Sequence, residues 1–510
     1  MYKMDTHRGP APDEARARER WLWPTLSVAL AVVVLLLALS PRVLALTRDQ
    51  EAQRLATVFA EVFQYIRDNY VDKEQTDPEA LIQGALDGMF EALGDPYSAY
   101  IPAEEMGELN DLTVGEFGGV GLLISGGDTG VEVVAPIDGH PAYRAGVQPG
   151  DVIVEVNGNS AADLSVNEMM QLLRGEPGTA VAVTFLRDEA IRLELVIERA
   201  LIEVPTVKSA IIPAVQGQGD IGYLRITQFT RRTPERVTDA LEQLARDGYG
   251  ALIVDLRSNP GGLLSAVVKV ANYFLDSGSI VSTRSRVRNE NQVHYASRRT
   301  TLVPRELPVV VLVDRGSASA SEIFAGAMRD SGRGYVIGEP TYGKGSVQQV
   351  RHFGDDAVKV TTSRYFTPSG ASIESIGVIP DLEIRLPELA EEQQHAVADL
   401  YSSGRLRRFA REAVNESGGQ QPTKAAVVAF VDELLADDVG LAADHLHRLV
   451  SEQIRRSLPA PPAYDLDYDL VLQEAVRLLG DGSITAPRAG AGVRLSRPDE
   501  PVMRDPEPAR

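Results

Sequence analysis

Helical stripes and short apolar runs alternate along this chain, and their order gives a first map of its elements. Between residues 47 and 103 apolar positions recur at helical spacing: Val58, Val62, Tyr65 and Ile66, then Leu81, Ala85, Leu86, Met89 and Leu93. Gly94-Asp95-Pro96 closes the second run. Residues 250–255, 309–313 and 335–337 read as buried strands, and 346–350 alternate as a strand does. Helices are expected from Leu263 and over 322–328. Strands alternating with helices predict a mixed α/β sheet. Beyond Pro387 the pattern turns helical and acidic, with Phe430, Leu434, Leu435, Leu446, Leu449 and Val450 on helix faces. Pro459 to Pro462 break that run before a last stripe at 470–479. These C-terminal helices read as a packing or assembly region.

The N-terminus changes the picture. Residues 21–41 carry no charge, and about 20 such residues span a bilayer. Lys3, Arg8, Arg16, Arg18 and Arg20 precede them, so a membrane anchor with the bulk of the chain outside the cytoplasm is expected. A cleaved signal peptide, cut near Ala45, is the alternative. Residues 484–510, rich in Pro, Arg, Gly and acids, are expected to be disordered.

At 510 residues several domains are expected. A net charge of −21 argues against nucleic acid as a partner, because neutralising phosphates takes clustered Lys and Arg. The absence of cysteine excludes thiol chemistry and disulfides. No HExxH-type spacing points to zinc, so no metal or cofactor is expected. None of the 7 histidines carries a Ser–His–Asp signature.

The candidate chemistry lies between Val309 and Val350. A strand runs into Gly316-Ser-Ala-Ser-Ala-Ser321 and then a helix, a turn able to hold a hydroxyl at a helix N-terminus. Ser319-Ala-Ser-Glu322 also fits a plain capping box. Lys344, between Gly343 and Gly345, reads either as a solvated loop lysine or as a base. To act as a base it must be neutral, which takes a drop of roughly three pKa units, about 4 kcal/mol, from its reference value. Burial among apolar groups can supply that, and a Ser–Lys pair is a known variant of the Ser–His–Asp arrangement. Gly338-x-x-x-x-Gly343-Lys344 falls short of a phosphate loop, because Gly345 stands where Ser or Thr is needed and a strand follows.

Gly316-Ser-Ala-Ser-Ala-Ser-Glu322 followed by Gly343-Lys-Gly-Ser-Val-Gln348 resembles the carboxyl-terminal processing (tail-specific) serine proteases. The resemblance runs over roughly residues 50 to 387, through 65–100, a PDZ-like segment, 255–262, Thr367-Pro-Ser-Gly370 and Gly377-Val-Ile-Pro-Asp381. It implies Ser319 as nucleophile, Lys344 as general base and Gln348 as the residue orienting the amine. Backbone N–H groups of Gly261 or Gly262, and of Ala320, become candidate oxyanion donors. Asp330 aligns with an acidic position that matters in some members. Arg315 stands where many members carry another residue.

The PDZ-like segment implies capture of carboxyl tails. Its candidate peptide-binding residues are Gly119, Val120, Gly121, Leu122 and Ile124 on the glycine loop and first strand. Met169 and Leu173, with Val166 and Met170, mark the apolar face of the groove helix. Arg174, just past that helix, is a candidate link to the active site.

The expected fold is therefore a multidomain α/β (α+β) chain. Its parts are a cytoplasmic tail (1–20), a membrane helix (21–41), a helical N-terminal region (47–105) and a PDZ-like β-sandwich or barrel (107–199). A crotonase- or Clp-like protease core (200–387), a helical C-terminal extension (388–483) and a disordered tail (484–510) follow. The expected partners are proteins with apolar C-terminal tails, an adaptor protein and a second copy of the chain. The competing expectation is a non-catalytic PDZ scaffold that binds such tails.

Overall fold

The computed structural model describes residues 41–484, apart from 104, 108–114, 128–129, 138–139, 149, 162–163, 188–189, 214–218, 386–388 and 459–460. The tail at 1–20, the membrane helix at 21–41 except Pro41, and the tail at 484–510 except Ile484 lie outside the described residues. Among the described residues no helix is long and apolar enough to cross a membrane.

The chain divides into two units, residues 1–96 and 97–510. In the first, helices Pro41–Asn69 and Pro78–Glu91 follow the predicted stripes. Asp77 caps the second, its carboxylate accepting the Ala80 N–H at 2.9 Å.

The second unit is built on a six-stranded sheet: β1 Val207–Ile212, β2 Ile221–Ile226, β3 Ala251–Asp255, β4 Val309–Val313, β5 Tyr335–Gly338 and β6 Leu382–Glu383. The strands lie side by side in chain order. β1 is antiparallel to β2, and every later neighbour is parallel. Right-handed crossovers that always step the same way place their helices on one face. Accordingly α1 Thr233–Asp247, α2 Leu264–Asn272 and α3 Ala320–Asp330 share one core with Leu224, Leu252, Val254, Val309 and Val311.

That topology leaves the other face of the sheet to be covered from elsewhere. The alternate side chains, Tyr223, Ile253, Val310, Leu312 and Ile337, pack against Val471, Leu472, Ala475 and Leu479 of α4, Leu470–Gly480. The C-terminal region, expected to serve packing or assembly, thus supplies the second cover of the central sheet. This is why β3 and β4 are buried at every position and read as unbroken apolar runs. The helices Glu391–Ser402, Arg405–Glu416, Lys424–Ala436 and Ala443–Ser457 form a separate bundle with its own core.

A second sheet carries the strand after Lys344. Ser346–Phe353 pairs with Asp356–Phe366, which also pairs with Ala99–Ile101.

The PDZ-like part is a five-strand path with Leu122–Gly127 at its edge and the helix Val166–Leu173 nearby. Met169, Leu173 and Val120 lie in its core, and Leu122, Ile124 and Val166 are half-buried against it. The stripe that suggested a groove is therefore mostly this domain's own packing. Arg174 lies over the Phe117 ring at 4.9 Å, inside the same part. The strand pair Glu116–Gly119 and Ala200–Glu203 meets α1 and its N-cap through Arg232–Glu116 at 2.6 Å and Arg236 Nε–Glu203 at 2.6 Å.

A buried charge cluster sits at the end of β3. Burial alone would raise the Asp255 carboxyl. The Arg257 charge and hydrogen bonds, with Arg225 and the Tyr223 hydroxyl, override it and bring the carboxyl down to about 2. A depressed carboxyl contributes stability that is complete above the ordinary carboxylate range and is lost as pH falls through the folded value.

Two predictions follow from this packing. Leu472→Ala should cost about 2–5 kcal/mol of stability in urea unfolding, because Leu472 is fully buried on the second face. Arg257→Met should cost about 3–5 kcal/mol at neutral pH by taking the main counter-charge from the buried Asp255, which keeps only the Tyr223 hydroxyl and the more distant Arg225. That deficit should shrink on acidification as Asp255 takes up a proton. A deficit that stays constant with pH would contradict the pairing.

Candidate active site

The small-residue turn after β4 brings Ser319 to the N-terminus of α3 in a conformation that L residues rarely adopt, φ 54°. Such strain persists only where the surroundings over-determine it. The Ser319 hydroxyl makes no cap hydrogen bond, while the other half of the expected capping box is in place, with Glu322 accepting the Ser319 N–H. The Tyr365 phenol stands beside it instead. Burial pushes that phenol up to about 12, against a hydrogen bond with Ser319 that lowers it, so it stays protonated at neutral pH.

The capping glutamate does something the local pattern did not foretell. Glu322 is completely buried. Its Oε2 accepts the Ser319 N–H at 2.7 Å and the Lys344 N–H at 2.9 Å. Its Oε1 accepts the Thr341 hydroxyl at 2.6 Å and the Gly343 N–H at 2.7 Å. The backbones of the candidate nucleophile and the candidate base therefore meet at one oxygen atom. Burial pushes the Glu322 carboxyl above its ordinary range, while Thr341 and the three backbone donors pull it back. An ionised carboxylate suits four donors because it only accepts.

Lys344 is half-buried, and its Nζ lies over the Tyr97 ring, 4.3 Å from the centroid. Gln348 directs Nε2 to Ser346 Oγ at 3.0 Å and Thr361 Oγ1 at 3.1 Å. Its carbonyl oxygen is thus the atom suited to face an amine. A strand, not a helix, follows Lys344, so the phosphate-loop reading has no structural support.

The loop after β3 wraps the Ser319 turn. The Asn259 carbonyl accepts the Ala318 N–H at 3.0 Å and the Ser321 hydroxyl at 3.0 Å, on either side of Ser319. Asp314 Oδ1 accepts the Ser258 N–H at 2.8 Å and the Gly316 N–H at 2.9 Å. Gly261 is required by this close approach. A Cβ there would stand 2.6 Å from the Ala318 oxygen and 2.8 Å from the Ser319 Cβ, at φ +100°. The Gly261 N–H donates to Asn259 Oδ1 at 2.9 Å, which engages one of the expected oxyanion donors. Gly262 and Ala320 are then the candidates, and as first residue of α3 Ala320 has an N–H without an intrahelical acceptor.

Asp330 lies at the other end of α3, roughly 16 Å along the helix from Ser319. It accepts the Ser369 N–H at 3.0 Å and so secures the Thr367–Gly370 turn. Arg315 pairs with Glu339 at 3.1 Å.

Comparison with known proteins gives this arrangement a family. Residues 220–384 match Peptidase family S41, residues 132–187 match the PDZ domain, and residues 43–105 match the activating protease CtpB N-terminal domain. A carboxy-terminal-processing protease of Bartonella bacilliformis is 37% identical over 357 residues, 69% of this chain and 80% of that protein. The chain belongs to this family of carboxy-terminal processing serine proteases. The carboxy-terminal processing protease CtpA of Bacillus subtilis is 34% identical, over 67% of this chain and 72% of its own length. A solved photosystem II D1 C-terminal processing protease is 31% identical with TM-score 0.39, over 64% of this chain and 92% of that one.

Sequence reasoning did not find Glu322, Asn259, Tyr365 or Tyr97 as parts of the protease's site. Glu322 had a local signal only as a capping residue, and Asn259 had one as a turn residue, since an Asn two residues before a glycine favours a side-chain turn. Glu322→Gln offers one accepting oxygen to four donors. It should lower cleavage about a hundredfold by displacing both loops. It should also cost about 1–3 kcal/mol in denaturant unfolding. Cleavage near wild-type level would remove Glu322 from this role.

Proposed function

We propose that this protease cuts proteins near apolar carboxyl tails with a Ser319–Lys344 dyad. Ser319 Oγ attacks the peptide carbonyl carbon, and Lys344 Nζ takes the hydroxyl proton. The tetrahedral oxyanion is held by the N–H groups of Gly262 and Ala320. Lys344 returns the proton to the leaving amine, and water then releases the acyl group from Ser319. Gln348 orients the amine through its carbonyl oxygen. The observation that carries this reading is Glu322 Oε2, which accepts the N–H of both dyad residues. The ring of Tyr97 favours an ammonium over its face. The mechanism therefore needs the amine to leave that ring and lose its proton before it serves as base.

Tail selection is assigned to the PDZ domain. Leu122–Gly127 is an edge strand to which an extended tail can add, and the glycine loop from Gly119 to Gly121 precedes it. Side-chain selection falls to Leu122 and Ile124, because Met169, Leu173 and Val120 are taken up by the core. The uncharged segment at 21–41 supports an anchor in the cell membrane, with the catalytic part on the outer side. An adaptor protein and self-association complete the proposal, on the family likeness alone.

The test is cleavage of an apolar-tailed protein by wild type, Ser319→Ala and Lys344→Ala. Each substitution should lower kcat at least about a thousandfold. Variants that cut like wild type would overturn the dyad. A C-terminally amidated tail should bind more weakly, and equal binding would reject carboxylate capture.

A further inference from the structure

The loop that wraps Ser319 is gripped at both ends. Its tip is tied to the nucleophile turn through Asn259 and Ser258. Its base is tied to the C-terminal helix, far along the chain. Arg257 directs Nη1 and Nη2 to Asp469 Oδ1 and Oδ2 at 2.8 and 2.6 Å, a two-bond fork. The same guanidinium reaches Asp255 with Nε at 3.0 Å and Nη2 at 2.6 Å. Both members of this fork are largely sheltered, with side-chain exposures of 16% for Arg257 and 18% for Asp469. A planar guanidinium held between two carboxylates has a fixed orientation.

Arg257 adjoins Ser258, a second non-glycine residue in the left-handed region, φ 56°. Asn259 comes next, and its carbonyl and side chain hold Ala318, Ser321 and Gly261. Displacement of Arg257 therefore passes through two residues to the backbone on both sides of Ser319. Asp469 also caps α4, with Oδ1 accepting the Leu472 N–H at 3.0 Å. The cap and the fork are separable by chemistry. Asparagine caps a helix as well as aspartate does, but its amide presents NH2 to the guanidinium where the second oxygen was.

We propose that Asp469 is a positioning residue of the active site: through Arg257 it sets the loop that carries the oxyanion donor Gly262. The C-terminal helix thereby tunes catalysis from outside the stretch that matches the peptidase family. This rests on reading Gly262 and Ala320 as the oxyanion donors beside Ser319.

The experiment compares full-length wild type, Asp469→Asn, Leu479→Ala and Ser319→Ala. Leu479 is buried at the opposite end of α4, so its loss weakens the helix packing without touching the fork. For Asp469→Asn, kcat should fall about tenfold to a hundredfold on an apolar-tailed protein, from misplacement of the loop. KM should stay within about twofold, because tail binding is untouched. Amide hydrogen exchange at 256–262 should quicken while 470–480 keeps its protection. Leu479→Ala should lose stability and keep kcat. An unchanged kcat for Asp469→Asn, a change in KM alone, or an equal loss of kcat in Leu479→Ala overturns the proposal. If Ser319→Ala cuts like wild type, the dyad falls by itself. Exchange at 256–262 then decides the role of Asp469, and unchanged protection there rejects it.

Discussion

The buried carboxylate of Glu322 is the constraint on which the active-site geometry depends. A carboxylate withdrawn from water costs several kcal/mol unless hydrogen bonds and charge replace the solvent. Four donors do so here, three of them backbone N–H groups, and the carboxylate sits in the first turn of α3 where the helix dipole favours it. The consequence runs in both directions. The Ser319 turn and the Lys344 loop cannot separate without leaving this charge short of donors. The loops in turn are placed by groups of fixed geometry rather than by long flexible side chains.

That rigidity has to sustain strain. Ser258 and Ser319 both hold positive φ, and each such residue costs about 1–3 kcal/mol. Their strained backbones face one another across the bonds of Asn259 and Asp314. Neither turn has a reason to keep its shape alone. Each is the template for the other, and Gly261 makes the approach close enough for that by having no Cβ. The strain is thus offset by contacts distributed over two loops and a helix.

Much of this was legible in the order of residues, and the exceptions share a cause. Val309–Val313 matches its predicted bounds because burial on both faces writes an unbroken apolar run. The turn at 316–321 and the helix after it were also readable. The strained backbone at Ser319 was not, since Ser-Ala-Ser-Glu fits an ordinary capping box just as well. Glu322 was visible as a capping residue, yet its partners Thr341, Gly343 and Lys344 lie about twenty residues on, beyond any local pattern. Met169 and Leu173 show the same limit from the other side. A helical stripe records that a face is covered, not whether a domain core or a peptide covers it.

The central sheet extends that point from side chains to domain limits. The family match ends at residue 384, and the stripe at 470–479 looked like part of a separate helical extension. A sheet whose strands follow chain order, with right-handed crossovers, covers only one of its faces by itself. Tyr223, Ile253, Val310 and Leu312 on the bare face are as apolar as their neighbours on the covered one, so that face must find a partner. The partner is α4, and its first residue is preceded by Asp469, the carboxylate that grips Arg257. The segment that completes the hydrophobic core is therefore also tied to the loop beside Ser319. A limit drawn where the family likeness stops would cut both connections at once.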